Sequence, residues 1–238
     1  MKIIQRKMVQ IQYFAVFILL ISVANAQIAP GVYLSDRENN QHELKIDKDY
    51  LILSVYKIDP AEFVKTVGGF YNIDGEMLKV QLEFNSDFEE DGVKQLEIPI
   101  SAHGNNITLQ MDDTFTFEKT DTLEQDLDGQ WLFATRGPDT GQDRRGEENP
   151  RKTLKFLMDG RFQWIAFQTE TMAFSGTGGG SFTSKDGVYI ENIEFFSRDN
   201  DRVGASLEFN YELKGSDWHH TGQNSRGEPM YEIWSKRN

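Results

Sequence analysis

Apolar and polar residues alternate one for one along much of the chain. Leu78, Val80, Leu82 and Phe84 are apolar, and Lys79, Gln81, Glu83 and Asn85 lie between them. Val203, Ala205, Leu207, Phe209, Tyr211 and Leu213 repeat the pattern, and Leu96, Ile98, Ile100 and Ile107, Leu109, Met111 give shorter versions. Successive side chains of an extended strand point to opposite faces, so a period of two predicts half-buried strands. Turn pairs separate the runs: Asn39-Asn40, Asp74-Gly75, Asp91-Gly92, Gly104-Asn105, Asp159-Gly160, Asp186-Gly187 and Lys214-Gly215. No stretch carries a helical stripe of useful length. The predicted class is all-β, built of short antiparallel strands.

The pattern also runs twice. Gly31-Val32-Tyr33-Leu34 opens one half and Gly129-Gln130-Trp131-Leu132 the other. The segment from Gly68 to Asp87 aligns with Gly180 to Asp199 without a gap, with six identities in twenty positions. Each half holds about eight strand-like runs, enough to close a small barrel. Closure removes sheet edges that would otherwise need protection. A polar stretch, Lys119 to Asp128, joins the halves. The expected domains are 27–121 and 122–238, two tandem antiparallel β-barrels of about eight strands each, the first a degraded copy.

Residues 1–26 have the form of a signal peptide. Lys2, Arg6 and Lys7 precede an apolar run from Tyr13 to Val23, and Ala24-Asn25-Ala26 is a small-x-small cleavage site. Eleven residues are short for a membrane span, which needs about 20. Cleavage after Ala26 implies a secreted or periplasmic protein, not membrane-embedded once the peptide is removed. The chain of 238 residues has 25 Lys+Arg against 38 Asp+Glu, a net charge of −13. Loss of the three basic residues of the leader takes the mature chain to −16. Such a charge argues against nucleic acid, whose phosphates need a basic surface. The absence of cysteine excludes disulfides, thiolate metal sites and a cysteine nucleophile.

Gly129-x-Trp131 resembles the Gly-x-Trp motif that opens the first strand of lipocalin-like, calycin-type domains. In that family the tryptophan closes one end of the barrel and a basic residue near the C-terminus packs across it, a part that Arg237 or Lys236 can take here. The first half carries a weaker version, Gly31-x-Tyr33 with Lys119. The run from Trp164 through Gly178-Gly179-Gly180, Asn192 to Asp199 and Trp218-His219-His220 to Trp234 also resembles lipocalin-like domains of exported bacterial proteins with no assigned activity. The resemblance covers 129–238 and, more faintly, 31–119. It implies lipocalin-like barrels, but the family's Thr-Asp-Tyr motif and cysteines are absent, so no transport role carries over residue by residue.

Several residues are candidates for a site. Trp164, Trp218, His219 and His220 form a polar-aromatic set suited to a sugar ring or a flat apolar ligand. Only one of the two adjacent histidines can face inward, which also weakens a metal reading; no metal or cofactor is expected. Glu191 and Glu194 interrupt apolar strand positions, and either could serve as an acid or sit in a salt bridge with Arg198 or Arg202. Arg198 is a further polar contact. Gly137 to Lys152 lacks apolar residues and, on the resemblance, lies over the barrel mouth as a lid, with Arg144 and Arg145 as anion contacts. Trp131 and Arg237 are assigned to barrel closure. Asp199 and Asp201 begin a calcium-loop spacing that fails at Val203.

The expected function is an exported lipocalin-like protein that binds a small part-apolar ligand or glycan fragment through Trp164, Glu191, Arg198, Trp218, His219 and His220. Two alternatives stand beside it. One is an accessory protein or weak enzyme of polysaccharide use, although no catalytic constellation is visible. The other is a structural envelope partner with filled barrels. The identity of any protein partner is left open.

Overall fold

The structure, a computed structural model, describes residues 28–224 and 226–237. The signal-peptide reading falls on residues 1–26, outside the described residues. The chain forms two closed eight-stranded antiparallel barrels. The first contains β1 (Gly31–Arg37), β2 (Asn40–Ile46), β3 (Tyr50–Ile58), β4 (Ala61–Asp74), β5 (Met77–Asn85), β6 (Gln95–His103), β7 (Asn106–Gln110) and β8 (Thr114–Lys119). The second contains β9 (Gly129–Arg136), β10 (Arg151–Met158), β11 (Arg161–Gln168), β12 (Ala173–Lys185), β13 (Val188–Phe196), β14 (Ser206–Lys214), β15 (Asp217–Gln223) and β16 (Pro229–Lys236). Each strand pairs with its chain neighbours, and β1–β8 and β9–β16 contacts close the rings. No helix among the described residues is long and apolar enough to cross a membrane.

Strand pairing shows that the halves are the same structure. Gly69 lies opposite Leu82 at a register shift, and Gly180 lies opposite Ile193 at the corresponding shift. A Cβ on Gly69 would collide with the Gln81 carbonyl, and one on Gly180 with that of Asn192, so both bulges demand glycine. A second pair of bulges, after Val55 and after Ala166, keeps the same offset of 111 residues. Side-chain bonds repeat as well. The Thr66 amide donates to Ser86 Oγ at 3.0 Å and the Thr177 amide to Ser197 Oγ at 2.8 Å. The Thr66 hydroxyl donates to the Leu53 carbonyl, and that of Thr177 to the Trp164 carbonyl. Pairing of Gly68 with Gly180, as the sequence identities suggested, is therefore one residue out of register. A one-residue slip exchanges the two faces of a strand.

One end of each barrel is closed by the same device. The Trp131 indole donates to the Leu127 carbonyl at 2.8 Å, and the Tyr33 hydroxyl to that of Ala29 at 2.7 Å. Lys236 lies 5.4 Å from the Trp131 ring. Arg237 does not take that position. Its guanidinium crosses to the first barrel, where it pairs with Glu83 and stacks on Tyr50 and Phe70. Adjacent strand residues face opposite ways, so only one of Lys236 and Arg237 can reach Trp131.

The barrels meet side to side. Tyr50, Ile52 and Phe84 of the first pack on Leu132, Leu154, Phe156, Ile165 and Phe167 of the second. The contacts follow an approximate two-fold axis. Tyr56 stacks on Phe195 at 4.5 Å, and its counterpart Phe167 meets Phe84 at 5.0 Å. Phe63 stacks on its own counterpart, Phe174, at 6.1 Å. Buried ionic groups flank this apolar patch. Glu43 is fully buried and receives Lys45, the Tyr56 hydroxyl (3.0 Å) and Arg161 (2.6 Å). Arg161 also grips Glu194 at 2.6 Å. Burial alone would raise the Glu43 carboxyl, but Arg161 and Lys45 hold it down at about 2.

Removal of Arg161 takes from buried Glu43 one of its two cationic partners and leaves Lys45 alone to compensate it. Arg161→Ala is expected to destabilise the protein by about 3–5 kcal/mol in urea unfolding. The stabilisation due to Glu43 is complete above its ordinary value of 4.5 and is lost as pH falls towards 2. The variant should therefore show a shallower loss of stability below pH 4.5 than the parent protein.

Candidate functional site

The interiors of the two barrels differ in chemistry at matched positions. In the first, Leu44, Leu53, Leu78, Val80, Ile98, Ile107, Leu109, Phe115 and Phe117 face inward and pack with their neighbours. Strand register places Lys155, Trp164, Tyr189, Glu191, Phe209, Trp218, His220, Glu232 and Trp234 at the corresponding positions of the second. An apolar column has become one with an ammonium, two carboxylates and an imidazole.

These groups form layers. At the closed end Trp131, Phe162, Phe182, Tyr189 and Trp218 pack together. Above them Lys155 Nζ reaches Glu191 Oε1 at 2.7 Å, and the same oxygen accepts the Tyr189 hydroxyl at 2.8 Å. The ammonium also lies 4.9 to 5.2 Å from the rings of Tyr189, Trp218 and Trp234. Such a cage stabilises a desolvated cation. Above Lys155 the barrel opens into a cavity of about 270 Å³. Trp164, Phe209, Leu207, Met230 and Trp234 supply apolar walls, and Thr153, Lys155, His220, Glu232, Gln223 and Asn224 supply polar groups. This volume is close to the lower bound of small-ligand pockets, roughly 300 Å³.

His220 is the unusual member. Its side chain is buried, yet neither ring nitrogen has a hydrogen-bond partner. Glu232 Oε2 is 3.8 Å from Nδ1. Burial, together with Lys155, lowers the imidazole below its ordinary 6.5 against the pull of Glu232 and Glu191. The ring is therefore neutral at pH 7, with one donor and one acceptor. Burial works against ionisation of Glu232, but the neighbouring His220, Lys155 and Trp234 hold its carboxyl below the usual range. Trp234 Nε1 donates to Glu232 at 3.2 Å.

The structure distributes the expected site residues as follows. Trp164 and His220 line the cavity. Trp218 is wholly buried beneath it, with ring centroids 5.0 Å from His220. Glu191 lies in the lumen but is held by Lys155. Glu194 is paired with Arg161 at the inter-barrel seam, so neither carboxylate pairs with Arg198 or Arg202. His219 faces outward and bonds the Tyr231 hydroxyl at 2.8 Å. Arg198 donates to the Ser175 carbonyl away from the cavity lining. Arg144 is bound to Asp217 and Ser235. Arg145 stacks on Phe133 at 4.9 Å while its amide donates to Ala134. The 137–150 connection therefore runs along β9, β16 and the start of β15, where those partners lie, and none of its residues lines the cavity. Sequence reasoning missed Lys155 and Glu232.

No family model matches this chain, and no curated protein does. Among solved structures, the Helicobacter pylori beta clamp bound to DNA ligase peptide is matched at 9% identity with a TM-score of 0.18. The match covers 89% of this chain and 58% of that one. A TM-score of that size carries no argument about fold or function.

The buried imidazole gives a pH signature. Below pH 6.5 an unfolded histidine takes up a proton that folded His220 resists, so its contribution to stability falls as pH is lowered. His220→Leu, which installs the residue that the first barrel carries as Leu109, removes that loss. In parallel urea titrations the variant should gain stability relative to the parent on going from pH 7.5 to 5.5.

Proposed function

We propose that this chain is an exported, lipocalin-like binding protein whose ligand site is the lumen of the second barrel. The first barrel acts as its packed support. One observation carries the reading: at nine matched positions the first barrel builds the same fold from apolar residues alone, and at four of them the second buries Lys155, Glu191, His220 and Glu232 instead. Desolvating charged and polar groups costs several kcal/mol unless partners compensate. The fold does not require these groups, since its twin does without them. Their arrangement around a cavity with an unpartnered imidazole fits a small ligand with an apolar body and a polar head. A glycan fragment could stack on Trp164 in the same way. Export rests on the basic and apolar pattern before Ala26. Glu191 and Glu194 are both in ion pairs, which favours binding over glycoside chemistry, since that needs two carboxyl groups facing a substrate.

Tryptophan fluorescence reads the site directly, because Trp164 and Trp234 line the cavity. A panel of small amines, alcohols, carboxylic acids, lipids and oligosaccharides should include a class that shifts emission saturably. The shift should be lost in a His220→Leu, Glu232→Phe double variant, which installs at the cavity the residues that the first barrel carries as Leu109 and Phe115. Replacement of a buried polar pair by well-packed apolar residues is often neutral or stabilising. A folded double variant with lost binding supports the lumen; silence of every class in the parent protein refutes it.

A further inference from the structure

The chemistry of the lumen narrows the ligand class, an argument that rests on the reading of the second barrel as a binding site. Its charges do not balance. Glu191 and Glu232 are carboxylates, and Lys155 is the one ammonium among them. Lys155 is fully engaged by Glu191 and three aromatic rings. Glu232 has a neutral donor, the Trp234 indole, and its side chain is 22% exposed, towards the cavity. Arg136 lies opposite Glu232 in the β9–β16 register but is exposed and makes no ion pair with it among the described residues. Arg145 is taken up by Phe133. A second, independent feature points into the same space: buried His220, with both ring nitrogens unpartnered.

We propose that the second-barrel cavity binds a small protonated amine with a flat or alkyl body, the ammonium meeting Glu232 and His220 and the body lying among Trp164, Phe209 and Trp234. An ammonium restores neutrality to the lumen. It can donate to a Glu232 oxygen and to the acceptor nitrogen of His220. Aromatic faces attract cations through their quadrupoles, so the same walls suit both ends of the ligand. A carboxylic acid or fatty acid is disfavoured, because its anion would join two carboxylates around a lysine already occupied. The acidity of the whole chain, −13, draws cations towards the mouth.

Three probes of nearly equal shape separate the cases: 2-phenylethylamine, 2-phenylethanol and phenylacetate, each titrated calorimetrically into the purified protein at pH 7. The amine is expected to bind about tenfold or more tightly than the alcohol, with the acid weakest, as a charge-assisted hydrogen bond implies. Glu232→Gln, which retains an acceptor for Trp234, should reduce the amine to the level of the alcohol. Equal or tighter binding of the alcohol or the acid overturns the amine assignment and leaves the lumen as a site. Persistence of the amine preference in folded Glu232→Gln also overturns it. If that variant does not fold, the ranking of the three probes on the parent protein decides alone. Failure of all three to bind or to alter tryptophan emission overturns the amine assignment; the lumen reading falls only if the wider panel is silent too.

Discussion

The interior of an eight-stranded barrel is just wide enough to be filled by its own side chains or to hold one small ligand. That constraint makes the inward-facing residues decide what each half of this protein is. Leucine, isoleucine, valine and phenylalanine at the matched positions give a packed cylinder. Four polar substitutions and the larger indoles of Trp164, Trp218 and Trp234 give a cylinder packed at one end and hollow at the other. The ionic layer of Lys155, Glu191 and Tyr189 is the floor between the two. It is self-contained, because every member has a partner of opposite polarity. Above it the accounting fails at His220 and Glu232, and that is where the space is.

The junction between barrels is a two-fold arrangement within one chain. Isologous contacts, in which residue i meets j' and j meets i', are the signature of symmetric dimers. Tyr56 with Phe195 and Phe84 with Phe167 obey that rule, and Phe63 with Phe174 lies on the axis. Linkage of the two copies frees each side to diverge. Arg161 occupies the place of Tyr50, and both reach the carboxylate of the extra residue in the matched bulges, Glu194 and Glu83. Only Arg161 goes on to Glu43, whose counterpart is the apolar Leu154. Each half of the junction thus carries its own ionic group, Arg161 with Glu43 and Glu194 in one and Arg237 with Glu83 in the other.

Much of this was legible in the sequence, and the misses have physical causes. Alternation from Leu78 to Phe84 and from Val203 to Leu213 marks strands with one face in water; the first lies where the pattern places it, and the second begins only at Ser206, after Val203 and Ala205. Strands at the junction carry no alternation, because both of their faces are buried. Tyr50 to Tyr56 and Leu154 to Leu157 read as near-continuous apolar runs for that reason. In such a run a charge is a signal: Lys155 sits between Leu154 and Phe156, and Glu43 and Lys45 flank Leu44. All three are buried. The ungapped alignment is one residue out in part because the Asp-Gly turns supply two of its six identities. Their positions within the loops shift by one while the bulges at Gly69 and Gly180 hold the true register. Glu232 carries the same signal, a charge among the apolar residues Met230, Tyr231, Ile233 and Trp234, but on a strand only partly buried at that point.

The position of Lys155 explains how the second barrel tolerates its charges without coming apart. A lone ammonium inside a closed sheet would lose hydration worth several kcal/mol. Here the loss is offset three ways: by Glu191 in direct contact, by the Tyr189 hydroxyl that fixes the carboxylate, and by three ring faces around the cation. That same arrangement leaves the charge of Lys155 felt by His220, whose imidazole is held neutral first by burial and then by that ammonium. A neutral imidazole can accept a proton-bearing group where a charged one would repel it. The floor of the cavity thus does electrostatic work for the layer above it, although a ligand need never touch Glu191 or Tyr189.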